Sequence, residues 1–243
     1  MTIAQSNVLA IATNNTAASS FTTASGSPAA NRTLLWFQSS ANAPTHNAPT
    51  AWGLTWEQVY VQTNVCRQSC WVACTGSTAP SSGTATVNFA TNATAAAWYV
   101  AQFTNVAGRN PAVPSQAIRQ SNTATHTSAS GGTSTAAASL ANALASSLSA
   151  VVGGLCNDTN STATTTAERT SLGSASFGTV GAANRSRMQC QWNLVGDTQM
   201  TTTWTGVLSG VTGIVELAHE PAPQPLVVPS NQQVAAVARS RAW

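Results

Sequence analysis

The chain contains no lysine. Its 243 residues carry nine cationic side chains, all arginine, and six acids. Charged residues therefore make up 6% of the sequence, with a formal net charge of +3, where soluble domains ordinarily carry about 25%. The missing lysine excludes a P-loop cation, a Schiff base and a kinase-type phosphate lysine. Nine scattered arginines do not make the basic stripe that a nucleic acid requires. No apolar run reaches the roughly 18 residues of a membrane-spanning helix. Also absent are Gly-x-Ser-x-Gly, His-Glu-x-x-His, Cys-x-x-Cys, a Walker loop and a dinucleotide fingerprint. The amino terminus, Met1-Thr-Ile-Ala-Gln-Ser-Asn, has neither the basic region nor the apolar core of a secretory signal, so the chain is expected to be made and left in a cytoplasm.

What fills the sequence instead is alanine, threonine and serine, 107 residues together. With 43% hydrophobic residues and eight tryptophans, the chain has enough apolar surface to escape disorder and, at this length, to bury a substantial core. The pattern is β throughout: short runs rich in Val, Ile, Thr, Phe and Trp, separated by Gly, Pro, Asn and Ser clusters. Strands are predicted at 8–13, 33–38, 54–62, 70–75, 83–89, 95–103, 116–126, 149–157, 169–180, 188–194, 199–205 and 212–217. Thr84–Phe89 shows the alternation, with Ala85, Val87 and Phe89 on one face and Thr84, Thr86 and Asn88 on the other. Outward threonines keep strand propensity high while bonding to water, so such a surface needs little charge. The expected class is all-β, a two-sheet antiparallel β-sandwich over residues 1–220. Leu140, Leu144 and Leu148 recur every four residues, which allows a short helix within 133–150. Pro221, Pro223, Pro225 and Pro229 then mark residues 221–243 as an extended, Pro-rich arm. Such an arm can cross to a neighbouring subunit and bury Val234, Val237 and Trp243 there, since a terminal tryptophan has little use on a frayed tail.

Side chains with chemistry are few. Five cysteines are an odd number, so at least one is free or pairs between chains. Cys66, Cys70 and Cys74 are spaced by four. On a strand they share a face about 13 Å apart, too far to bridge one another or to hold one metal. They are small buried hydrophobes, or one of them pairs with Cys156 or Cys190. His46, His126 and His219 have no nucleophile placed beside them by the sequence, and His46 is read as a loop residue. A glycosidase needs two facing carboxylates, and only Glu57 and Glu216, on predicted strands, could supply them. Trp36, Trp56 and Trp98 lie in apolar runs and are expected in the core. Trp52 follows Pro49 in a loop and is the candidate for stacking on a glycan.

Three segments together suggest a relationship. They are Gly53-Leu-Thr-Trp-Glu-Gln-Val, then Gly83-Thr-Ala-Thr-Val-Asn-Phe followed by Trp98-Tyr-Val-Ala-Gln-Phe-Thr-Asn-Val, and finally Trp204-Thr-Gly-Val followed by Gly213-Ile-Val-Glu-Leu. In this order and spacing they resemble the jelly-roll domains of tailed-phage virion proteins and bacterial surface proteins. Such domains serve as capsid decoration proteins, head fibres and tail adhesion modules. The resemblance implies a jelly roll over residues 1–220 and a virion structural protein, a decoration or minor capsid subunit stabilising a phage head from outside. It implies capsid or other virion subunits as partners, self-assembly (a trimer is expected), and no catalytic residue, cofactor or metal. The alternative it leaves is a carbohydrate-binding adhesion module of a tail or fibre, with a host glycan as partner. Neither nucleic acid nor membrane is an expected partner.

Overall fold

Alternating apolar and hydroxyl side chains build sixteen strands in the computed structural model, which describes residues 2–127, 133–158, 164–165, 169–178, 186–194, 198–205 and 209–220. The first eight are β1 (Gln5–Asn14), β2 (Ala18–Thr22), β3 (Thr33–Ser40), β4 (His46–Ala51), β5 (Glu57–Thr63), β6 (Arg67–Cys74), β7 (Ala85–Ala93) and β8 (Ala96–Phe103). A linker with a 3₁₀ turn at Pro114–Ala117 leads to β9 (Ile118–Thr127), β10 (Thr133–Ser139), β11 (Ala150–Asn157) and β12 (Thr164–Thr165). β13 (Thr170–Phe177), β14 (Ser186–Asn193), β15 (Gln199–Thr205) and β16 (Ser209–Leu217) complete the set. All named pairings are antiparallel.

The strand order contains a duplication. Strands β1–β8 form a five-stranded sheet, β1-β8-β3-β6-β5, and a three-stranded one, β2-β7-β4. Strands β9–β16 form β9-β16-β11-β14-β13 and β10-β15-β12. Adding eight to each label of the first set gives the second. Eight strands divided between two sheets in this order make a jelly roll, so the stretch expected to hold one such unit carries two of the same topology. No α-helix occurs among the described residues, and no helix is long and apolar enough to cross a membrane.

The two units are joined back to back by their five-stranded sheets. Contacts between them come in reciprocal pairs: β5 on β9 and β1 on β13, β6 on β16 and β8 on β14, β6 on β11 and β3 on β14. Reciprocity of this kind is the mark of a two-fold, isologous interface, here made within one chain. The result is four layers with three cores. In β3, Leu34 and Trp36 face the outer three-stranded sheet, while Leu35 and Phe37 face the other unit. In β11, Val151 and Leu155 face outward, while Val152 and Cys156 face the seam. Both faces of these strands are covered, so β3, β11 and β16 are buried along their whole lengths.

Two glycines allow the seam to close. A side chain at Gly213 would collide with the ring of Tyr60, and a Cβ at Gly154 would lie 2.7 Å from Phe37 Cδ1. Tyr60 and Phe37 are thus knobs on the first unit, seated in gaps of β16 and β11. The linker adds two backbone bonds to the segment after β16, Ala107 N donating to Ala218 O and Glu220 N to Asn105 O, both at 2.8 Å.

Two expectations need correction. The helix allowed within 133–150 is instead β10 followed by a loop. Ala138 and Leu140 are buried two residues apart, which is strand spacing, and Leu148 is exposed. The loop is held by the buried carboxylate of Glu216, whose oxygens accept from Ala145 N (2.7 Å) and Gln120 Nε2 (2.6 Å). Tertiary contact outweighs helix propensity here. The predicted strands also omitted β2, β4, β10 and β12, and all four belong to the three-stranded sheets. Each has few apolar positions, and β4 contains Pro49, which an edge strand tolerates.

Substituting Gly213 or Gly154 by valine is expected to cost about 2 kcal/mol or more by overpacking. Combining Gly213→Val with Tyr60→Ala should cost less than the sum of the single changes, because the knob and the filled hole then no longer compete. Urea unfolding of the four proteins measures this, and strict additivity would show that Tyr60 does not occupy the Gly213 gap.

Candidate functional site

Trp52 sits at the tip of a turn closed by Leu54 N donating to Ala51 O at 3.0 Å. It has φ +51°, followed by Gly53 at φ +65°. A bulky residue in the left-handed region stores strain of about 1 kcal/mol, and packing compensates for it. The indole N–H donates to Gly26 O and Gly83 O, both at 3.1 Å, and these two glycines exchange backbone hydrogen bonds with each other. Gly26 has no room for a side chain because Trp52 Cζ2 lies 2.7 Å from where its Cβ would be. The ring also tilts against Trp36 and Trp56, each with centroids 6.3 Å away. Trp52 is half-buried at the rim of the first unit's core. Trp36, Trp56 and Trp98 are core residues, as their apolar runs predicted.

His46 is not a loop residue. It opens β4, is 4% exposed, and lies between two serines. Nε2 is 2.8 Å from Ser40 Oγ, and Nδ1 is 2.8 Å from Ser69 Oγ. Ser69 also accepts from Trp71 Nε1 at 3.0 Å, and Phe89 packs edge-on against the imidazole at 5.1 Å. A hydroxyl on an imidazole is half of a nucleophile–base arrangement, but Ser40 and Ser69 are fully buried, so no substrate carbonyl can approach. The group ties β4 to β3 and β6 across the sandwich. Burial, with the Arg67 charge adding to it, lowers the His46 pKa from 6.5 to about 3. Pro44 just before β4 and Pro49 within it concealed this strand, and with it the burial of His46, from the sequence pattern.

The two acids considered as a pair lie in different layers. Glu57 accepts from the backbone N–H of Ser115 at 2.7 Å. Glu216 faces the outer core of the second unit and holds the 141–149 loop, with Arg119 Nε 3.6 Å away. All five cysteines are buried free thiols. Cys66, Cys70, Cys74, Cys156 and Cys190 all face the seam between the units. Burial raises the thiol pKa values of Cys70 and Cys190 well above the ordinary range. The described His, Cys, Asp and Glu residues contain no group able to hold a metal ion. Val234, Val237 and Trp243 lie outside the described residues.

The outer faces of the three-stranded sheets are the other extended feature. Across β2-β7-β4, one row is Thr22, Thr86 and Thr50 and another is Ser20, Asn88 and Asn47. On the opposite side of the molecule Thr135 and Thr203 share a row, their hydroxyls 3.3 Å apart. Neither set contains a charged residue.

No protein-family model matches the chain, and no curated protein matches it. Among solved structures the chain is similar to the crystal structure of Cucumber Necrosis Virus, at 12% identity, covering 81% of this chain and 74% of that one with a TM-score of 0.26. A superposition that loose carries no functional inference.

His46 gives the protein an acid sensitivity whose sign follows from its environment. The unfolded chain binds a proton below about 6.5, while the folded chain resists it until about 3, so stability falls as pH drops through that window. Between pH 7 and pH 5 the loss is about 2 kcal/mol. Urea unfolding at both values should show this loss in the native sequence and most of it removed in His46→Gln. An equal loss in the variant would place the sensitivity elsewhere.

Proposed function

We propose that the chain is a virion structural protein, a decoration or minor capsid subunit bound to the outside of a phage head. The observation that carries this reading is the fused pair of jelly rolls. It makes a four-layer block whose two outer sheets present neutral, hydroxyl-lined faces. Its central glutamate and histidine are engaged in holding loops and strands together. A block of this kind acts mechanically. Bound across a junction between shell subunits, it stabilises the assembled shell by mass action, because it binds the shell and not the free subunits. Many modest main-chain, hydroxyl and apolar contacts then suffice, without charge steering. The Pro-rich arm, residues 221–243, supplies the apolar anchor through Val234, Val237 and Trp243, on a neighbouring copy or on a shell subunit. Self-assembly into a trimer would place three such arms around one junction.

The expected outcome is that purified particles contain this chain in stoichiometric amount and that a chain ending at Glu220 binds shells about tenfold or more weakly, since it loses a buried aromatic anchor. Particles without the chain would end the reading, and unchanged binding by the truncated chain would end the role of the arm. Glycan-array binding that disappears in Trp52→Ala while the fold is retained would favour the adhesion module instead.

A further inference from the structure

We propose that Arg32 and Arg109 form a clamp for one oxyanion, the carboxylate of an acidic side chain on a partner protein. Arg32 lies just before β3 in the first unit, and Arg109 belongs to the linker that follows β8. Their guanidinium groups converge on one atom. Arg32 Nη1 donates to Ala30 O at 3.0 Å and to Asn31 O at 3.1 Å. Arg109 Nη1 donates to the same Asn31 O, also at 3.1 Å. Asn31 has φ +55°, a conformation in the left-handed region that asparagine tolerates.

The backbone on each side of the clamp is held in place. The loop that carries Asn31 is tied to β6 and β8. Thr75 Oγ1 accepts from Arg32 N and donates to Ala29 O, both at 2.8 Å, and Thr75 is itself buried. Asn31 N donates to Gly76 O at 2.8 Å, and Ala29 N to Gln102 Oε1 at 2.9 Å. On the linker side, Gly108 has φ +70°, and a Cβ there would lie 2.1 Å from Gln116 O, so the chain turns tightly before Arg109. Asn110 Nδ2 then donates to Gln116 Oε1 at 3.1 Å, and Ala112 N to Asn110 Oδ1 at 3.0 Å.

Two cationic nitrogens bound to a single oxygen are at most about 6 Å apart, and their charges repel. Nothing anionic answers them within the molecule. The ion pair among the described residues is Arg119 with Glu216, and no described acid lies within ion-pair distance of Arg32 or Arg109. Glu57 accepts from Ser115 N instead. Neutral carbonyls occupy Nη1 of each arginine, and the Nε and Nη2 donors of both have no partner among the described residues. Both side chains are half-buried, which strengthens any charge-assisted bond they make. Free forks of this kind match the two oxygens of an oxyanion, and their backbone supports pre-organise them. The donor set fits a carboxylate or a phosphate. The shell-binding reading, on which this choice rests, makes it a carboxylate, the oxyanion that a protein partner carries on Asp and Glu. Neither arginine belongs to the neutral outer sheets, so the clamp adds one oriented contact to their broad ones.

The composition makes the test direct, because nine arginines and no lysine give few cationic side-chain signals. The isolated full-length protein, isotope-labelled at nitrogen, is titrated with acetate and separately with inorganic phosphate, chloride keeping the ionic strength constant. The arginine Nε–H signals are followed by NMR. The expected result is that the Arg32 and Arg109 signals move together and saturate with acetate, with a midpoint on the order of millimolar, while the other arginines do not respond. In Arg109→Gln the Arg32 signal should move with a midpoint raised about fivefold or more. Signals of Arg32 and Arg109 that stay still, or move no more than those of the other arginines, overturn the clamp. Saturation by phosphate without acetate overturns the choice of a carboxylate. The native protein alone gives these curves, so they decide the question even if the variant does not fold. They also need no shell: absence of the chain from virus particles would end the shell-binding reading and leave the acetate result standing.

Discussion

The structure depends on the contact between the two five-stranded sheets. Each sheet must bury its second face, and each could do so only by meeting something equally apolar and closely matched in shape. Phe37 and Tyr60 protrude from one sheet, and Gly154 and Gly213 leave gaps in the other. Without those gaps the sheets would be held apart by the width of a side chain, and Leu35, Val72, Val152, Val211 and Val215, which now share one core, would face water. Interiors close-packed to this degree do not tolerate an added methylene without displacement. The seam therefore makes one body of two jelly rolls.

That constraint explains the composition. A strand covered on both faces has no outward position for polar residues, and β3, β11 and β16 are buried from end to end. On the outer faces of the three-stranded sheets, threonine and asparagine are wet enough and keep the strand conformation. The few charges that remain near the core have structural work. Glu216 anchors a loop through two backbone or amide donors, and Arg67 reaches Pro44 O at 2.9 Å beside His46. A neutral exterior on a body with two similar ends suits a component that meets other protein across broad, low-charge faces, the role proposed for it.

Much of the fold was legible in the sequence, and the failures share a cause. The strands of the five-stranded sheets were found because β-branched and aromatic residues mark them. β2, β4, β10 and β12 escaped because a small outer strand buries few side chains and is built from alanine, serine and threonine, which suit any conformation. The same composition allowed a helix within 133–150 until Glu216, far away in sequence, decided for a loop. Trp52, expected in a loop, lies in a turn and is half-buried, and its bonds to Gly26 and Gly83 depend on a bridge between strands that no local pattern announces. His46 was misjudged for the same reason, since both serines beside it come from other strands.

The sequence by itself determined that the chain is all-β, that its surface is hydroxylated and not charged, and that the known lysine, metal and nucleotide motifs are absent. Those properties are local or additive, being set by residue type and by a period of two. The tertiary structure decided that the sandwich is double and which sheet faces which. Partner choice between strands depends on the fit of distant surfaces, a knob at residue 37 or 60 against a gap at 154 or 213, and the reward for that fit exists only once the chain has folded.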